Sequence, residues 1–144
     1  MDTQSSFSTF LTRSWSRDGA MLLLRLWLGS MMIMHGWGKV FGGVENLTER
    51  VTQMGFPLPE FFAWSAAFSE FAGGILLVLG LFTRPASFFV AATMIVAGFI
   101  RHFDDPFAKK ELALTYLVMA IVILIAGPGK TSLDRLLFGN SHKK

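Results

Sequence analysis

From Leu112 to Gly129 the chain runs for 18 residues without a charged side chain. A helix of that length crosses most of a bilayer's hydrocarbon core, which is roughly 30 Å thick and takes about 20 apolar residues. Three further windows share this character. Ala20–Phe41 is apolar apart from Arg25, His35 and Lys39, and Phe61–Thr83 carries only Glu70. Pro85–Ile100 is uncharged but 16 residues long, so it extends through Arg101 and His102 to span fully. Backbone polar groups in lipid must be satisfied within the segment, so spans of this kind are helices. The expectation is an all-α integral membrane protein, a four-helix bundle with spans at 20–41, 61–83, 85–102 and 112–129, preceded by a segment 1–19 and followed by a tail 130–144.

Composition agrees and removes competing readings. Charged residues make up 16% of the chain, against about 25% in ordinary soluble domains. Mean hydropathy is +0.49, which argues against a freely soluble enzyme. With no cysteine, the chain's own side chains supply no disulfide, thiolate metal site, iron–sulfur ligation or thiol relay. The net charge of +3 comes from 13 Lys and Arg against 10 Asp and Glu. These basic residues are scattered singly or in pairs and form no stripe, so nucleic acid is not an expected partner. They flank the apolar windows instead. With the N-terminus inside, seven (Arg13, Arg17, Arg84, Lys130, Arg135, Lys143, Lys144) face the cytoplasm. Four (Arg50, Arg101, Lys109, Lys110), or five with Lys39, face out. The excess places both termini in the cytoplasm. No apolar run precedes Ala20, so no cleavable signal peptide is expected.

Three short amphipathic stretches suit helices at the membrane interface, or helices packed on the protein by an apolar face. Phe7, Phe10, Leu11 and Trp15 fall at helical spacing before the first span. Asn46 with Glu49 resembles a capping box, followed by Leu47, Val51 and Met54 up to Gly55 and closed by Pro57 and Pro59. A third helix starts at Thr131 or Ser132 and uses Leu133, Leu136 and Leu137.

Ionisable groups at membrane depth cost about 2.5–3.5 kcal/mol each on insertion scales, so they require a partner or a cavity. Arg25, Gly29, Met32, Gly36 and Lys39 form one stripe at 100° per residue, with His35 at its edge. Ala63, Ala66, Glu70, Gly73, Gly74 and Leu77 form a second stripe of mostly small residues, which lets two helix backbones approach and turns Glu70 inward. At 1.5 Å of rise per residue, Arg25 lies about 8 Å from the cytoplasmic edge, His35 about 22 Å, Lys39 about 28 Å and Glu70 about 18–20 Å. These levels favour a Glu70–His35 contact with Lys39 above it. Arg25 is expected to snorkel to the inner interface or to bind a lipid phosphate. Arg101 and His102 end the third span near the outer surface, Glu111 begins the fourth there, and Tyr116 follows one turn deeper. His35, Lys39, Glu70, Arg101, His102, Glu111 and Tyr116 are therefore candidates for one polar pocket in the outer half of the bundle. Such a pocket suits an anion or a quinone-like headgroup, with His35 and Glu70 exchanging protons. Glu70 also remains open to a purely structural reading as a packing pair with His35 or Lys39, and His35 to the same kind of reading. No metal-ligand spacing, phosphate-binding loop or dinucleotide fingerprint is present.

Four pieces of sequence, in order, resemble the DoxX family of small bacterial inner-membrane proteins. They are Arg25-x3-Gly29-x5-His35-Gly36-x2-Lys39-x-Phe41, then Glu70-x2-Gly73-Gly74 with Gly80, then Thr83-Arg84-Pro85-Ala86, and finally Gly127-Pro128-Gly129 with Ser132-Leu133-Asp134. The resemblance covers roughly Ala20 to Gly139. It implies a four-helix bundle in the bacterial inner membrane and, through relatives that include a thiosulfate:quinone oxidoreductase subunit and a member of a thiol and superoxide defence complex, a membrane subunit of a quinone-linked redox complex with redox partner subunits. A non-catalytic module for lipid binding or partner assembly is the alternative. Without cysteine, any sulfur chemistry would take place on a substrate, a quinone or a partner.

Overall fold

The computed structural model describes residues 17–139, and every regular element among them is helical. In chain order these are α1 (Arg17–Phe41), α2 (Glu45–Gln53), α3 (Pro59–Leu79), α4 (Thr83–Ile95) with a π-helical continuation Val96–Arg101, α5 (Phe107–Ala126) and α6 (Leu133–Phe138). The amphipathic stretch Phe7–Trp15 lies outside the described residues. Three helical stretches, Arg17–Phe41, Pro59–Leu79 and Thr83–Arg101, are long and apolar enough to cross a membrane. The next helix, α5, opens on Lys109, Lys110 and Glu111, which leaves 112–126 as its uncharged part. That part alone is about 22 Å long at 1.5 Å per residue. Large apolar side chains point away from the protein on every long helix: Leu23 is 69% exposed, Phe68 51%, Phe88 56% and Ile125 73%. So large an outward apolar surface needs lipid to cover it.

Each long helix packs on two others: α1 on α3 and α5, and α4 on α3 and α5. Leu28, Met32, Leu77, Val90, Ala120 and Ile123 are wholly buried between them. The closest approach is between α1 and α3, where a Cβ built on Gly29 would lie 2.7 Å from the Gly74 carbonyl oxygen. A Cβ on Gly74 would lie equally close to that of Gly29, and one on Gly36 would meet the Phe71 backbone. In lipid, helix association rests on van der Waals contact, which small residues make possible by letting backbones touch. On α3 the buried small residue in this register is Ala67, while Ala66 is only half-buried and faces α4.

The second span ends earlier than the hydropathy window suggested. Gly80 takes a left-handed conformation (φ +67°), with Gly80 N–H donating to Leu77 O and Leu81 N–H to Leu76 O. This pair of bonds is the glycine-dependent Schellman end of a helix. Thr83 therefore begins α4 instead of closing α3. The Asp134 carboxylate, 51 residues further along the chain, accepts from Phe82 N–H (2.7 Å) and Thr83 N–H (2.9 Å) and so caps α4. Phe82 itself is held at φ +46°, a conformation that costs a non-glycine residue roughly 1–2 kcal/mol.

The two short helices within the described residues differ in where their apolar faces go. In α2, Val44, Leu47, Val51 and Met54 pack against Ala63 and Trp64 of α3, so this face is turned to the protein. Its capping box does not form: the helix starts at Glu45, after Val44, with no side-chain cap. In α6, Ser132 accepts from Arg135 N–H as the N-cap (3.2 Å), while Leu136 and Leu137 stand 70% and 59% exposed.

Candidate functional site

Opposite the Asp134 end, a cleft of about 180 Å³ opens between α1, α3, α4 and α5. His35, Lys39, Glu70, His102 and Tyr116 all line it, together with Lys109. Apolar walls come from Met32, Met94 and Leu112. Glu70 is 3% exposed, and the Lys39 ammonium donates to both of its carboxylate oxygens, at 2.5 Å from Oε1. The expected Glu70–His35 contact is thus replaced by Glu70–Lys39. The Cα levels were sound, since Gly36 abuts Phe71, but levels leave out side-chain reach. The four-carbon lysine stem spans the extra turn, whereas the His35 ring turns to meet Tyr116 edge-on, with centroids 5.8 Å apart.

His102 enters the cleft because of the π-turn. In continuous α-helix the face of Met94 and Ala97 would continue at Arg101, three or four residues per turn. The bond from His102 N–H to Ala97 O (3.2 Å) closes a wider turn, so His102 takes that place. Arg101 is rotated out of the cleft and lines a separate groove with Arg50. Glu111 is exposed and also lies outside the cleft. These two sequence candidates are therefore not brought to the others, because periodicity read along an α-helix does not reveal an inserted residue.

Two contributors had no motif to mark them. Asp105 accepts from His102 Nδ1 at 2.7 Å and from Lys109 Nζ at 3.2 Å, bridging the end of the π-turn to the first turn of α5. Bonding to His102 first, and to Lys109 second, holds the Asp105 carboxyl below the usual carboxylate range. The i−3 and i+4 placement of His102 and Lys109 around Asp105 was the signal available in the sequence. Among the described residues no group of three or more His, Asp or Glu side chains stands where it could hold a metal ion.

Arg25 departs from the expectation of a snorkelling or lipid-binding arginine. It is wholly buried at the Asp134 end, with its Nη2 donating to Thr131 O at 2.5 Å and its guanidinium filling the space a Gly80 side chain would take. Buried in this way, it ties α1 to the segment leading into α6. Arg84 similarly reaches the Ile125 carbonyl at the end of α5 (3.4 Å), and Asp18 pairs with Lys130 (3.5 Å).

A helical membrane protein with one polar, ion-paired cleft near the end of its bundle is the class these features define. The chain belongs to the DoxX family, whose sequence profile matches residues 20–103. It is similar to inner membrane protein YqjF of Escherichia coli (strain K12), at 30% identity over 128 residues, covering 83% of this chain and 93% of that protein. Inner membrane protein YphA of the same organism is 29% identical over 133 residues, covering 83% and 91%. The Bacillus subtilis (strain 168) protein named "Putative oxidoreductase CatD" is 32% identical over 118 residues, covering 81% and 86%. No solved structure gives a significant match.

Proposed function

We propose that this protein is the membrane subunit of a quinone-linked redox complex, and that its cleft binds the headgroup of a quinone or a small anion. The reading extends to a four-span bundle in the bacterial inner membrane, with α5 as the fourth crossing, both termini in the cytoplasm and the cleft in the outer half. The observation that carries it is the pairing of a buried Glu70 carboxylate with the half-buried Lys39 on the wall of an open cleft that also holds His35, His102 and Tyr116. Quinone carbonyls accept hydrogen bonds, and Lys, His and Tyr are donors that suit them. His and Glu side chains are the usual proton carriers beside such a group. Size narrows the ligand: about 180 Å³ falls below the roughly 300–1,000 Å³ of sites for drug-sized molecules. A single ring or a small anion fits, and a dinucleotide does not. When bound, a quinone would supply the two-electron chemistry, while this chain would orient the ring and hold protons at Glu70 and the two histidines. The name of the Bacillus subtilis relative is in keeping with this reading.

A second reading rests on the same ion pair. Lys39 and Glu70 join α1 to α3 where the two helices already touch through Gly36 and Phe71, so the pair also suits a non-catalytic module whose charges specify packing and assembly. Purification in mild detergent separates the two. The redox reading expects a quinone and a redox protein among the co-purifying species, identified by absorbance and mass spectrometry. Their absence from preparations that remain folded favours the packing module.

A further inference from the structure

A separate groove lies at the same end of the protein, outside the cleft. Arg50, in the last turn of α2, and Arg101, at the end of the π-turn, line one groove of about 500 Å³ with Gln53 and Asp104. Both arginines are exposed, and among the described residues neither guanidinium has a hydrogen-bond or ion-pair partner. Met54 lines both this groove and a second one, of about 270 Å³, that runs between α3 and α4. The second groove is apolar. Phe62, Ala66, Phe89 and Val96 line it, and its hydroxyls are bonded within the protein, Ser65 to Phe61 O (2.7 Å) and Thr93 to Ser69 and to Phe89 O (3.0 Å each).

We propose that these adjacent grooves together hold one anionic phospholipid, with its phosphate between Arg50 and Arg101 and one acyl chain passing Met54 into the slot between α3 and α4. Charge decides the headgroup. Two arginines against Asp104 leave one net positive charge, which a phosphodiester with no amine neutralises. Guanidinium is the side chain whose planar fork best matches phosphate oxygens, and its position at the end of the spanning helices is the level of a lipid phosphate. The bonded Ser65, Ser69 and Thr93 hydroxyls leave no polar group in the slot that an acyl chain would strand. This site shares no residue with the cleft and does not depend on the redox reading.

Native mass spectrometry of the full chain, released from detergent containing equal amounts of phosphatidylglycerol and phosphatidylethanolamine, tests the proposal. The expected result is one retained phosphatidylglycerol per chain, favoured over phosphatidylethanolamine. R50Q/R101Q should reduce retention by about tenfold or more, since each basic residue near an anionic lipid is worth about a factor of five. S65F, at an exposed position inside the slot, should reduce it as well with both arginines intact. R17Q/R135Q removes the same charge at the opposite end and should leave retention unchanged. Equal retention of the two lipids overturns the proposal. So does retention that survives R50Q/R101Q, or that falls with R50Q/R101Q but not with S65F, because the arginines would then act only as surface charge.

Discussion

Lys39 reaches one helical turn back along α1 to pair with both carboxylate oxygens of Glu70 on α3. Glu70 is nearly inaccessible, whereas Lys39 keeps a third of its surface exposed. Removing one member of a buried pair typically costs about 3–5 kcal/mol because the other is left uncompensated, and partial solvation of Lys39 lowers that figure. K39M is expected to destabilise the protein by about 2–3 kcal/mol, and K39M/E70Q by less than the two single changes added together. A double-mutant cycle on thermal or denaturant unfolding should give a coupling of about 1–2 kcal/mol. Simple additivity would contradict the pairing.

Three glycines in different surroundings make a graded prediction. G29L would drive a side chain into the Gly74 carbonyl, and overpacking of that kind costs roughly 1–3 kcal/mol or more. G80A combines a strained φ with a clash against the Arg25 guanidinium, so a loss of at least about 2 kcal/mol is expected. Gly38 has nothing within 4 Å of its would-be Cβ. G38A should therefore be neutral or stabilising by up to about 1 kcal/mol. Thermal midpoints in one detergent rank the three.

Asp134 is expected to matter although it lies far along the chain from the helix it caps. D134A removes the acceptor for Phe82 and Thr83 N–H. Loss of a helix cap costs about 0.5–2 kcal/mol, and here it also frees a left-handed Phe82. Amide hydrogen exchange should accelerate first in the opening turn of α4. Unchanged protection there would contradict the cap.

The Asp105 bridge carries a pH signature. Its carboxyl is held below the ordinary carboxylate value of about 3.9, so its contribution is present above that value and is lost as pH falls through the depressed one. The difference in thermal midpoint between the wild type and D105N should be present at about pH 5 and shrink only as pH falls below the ordinary carboxylate value and through the depressed one. A difference that persists into acid would show that the bridge is not ionic.

How much of this was legible in the sequence depends on the distance over which each feature acts. Helical periodicity placed Arg25, Gly29, Met32 and Gly36 on one face, and these four are buried together. Glu70 on the small-residue face of its helix followed from the same reasoning. The reach of Lys39 past His35 did not, because rise per residue describes backbone levels. Nor did the exchange of Arg101 for His102, since one inserted π-turn shifts every later residue around the helix. The Arg25 environment was hidden for a third reason: its partner is the Thr131 carbonyl, 106 residues away, and a backbone acceptor leaves no mark in composition or charge pattern.

The central claim, that the cleft holds a quinone headgroup, is tested most directly by equilibrium titration of the purified protein in nanodiscs with a short-chain quinone, followed by quenching of tryptophan fluorescence. The account predicts saturable binding of one quinone per chain, weakened by about tenfold or more in E70Q, because Gln cannot hold the Lys39 ammonium in place and a hydrogen bond to a charged group is worth about 1.5–3 kcal/mol. R50Q/R101Q, outside the cleft, should bind as the wild type does. Non-saturating quenching of equal slope in the wild type and E70Q would be partitioning into lipid and would contradict the claim.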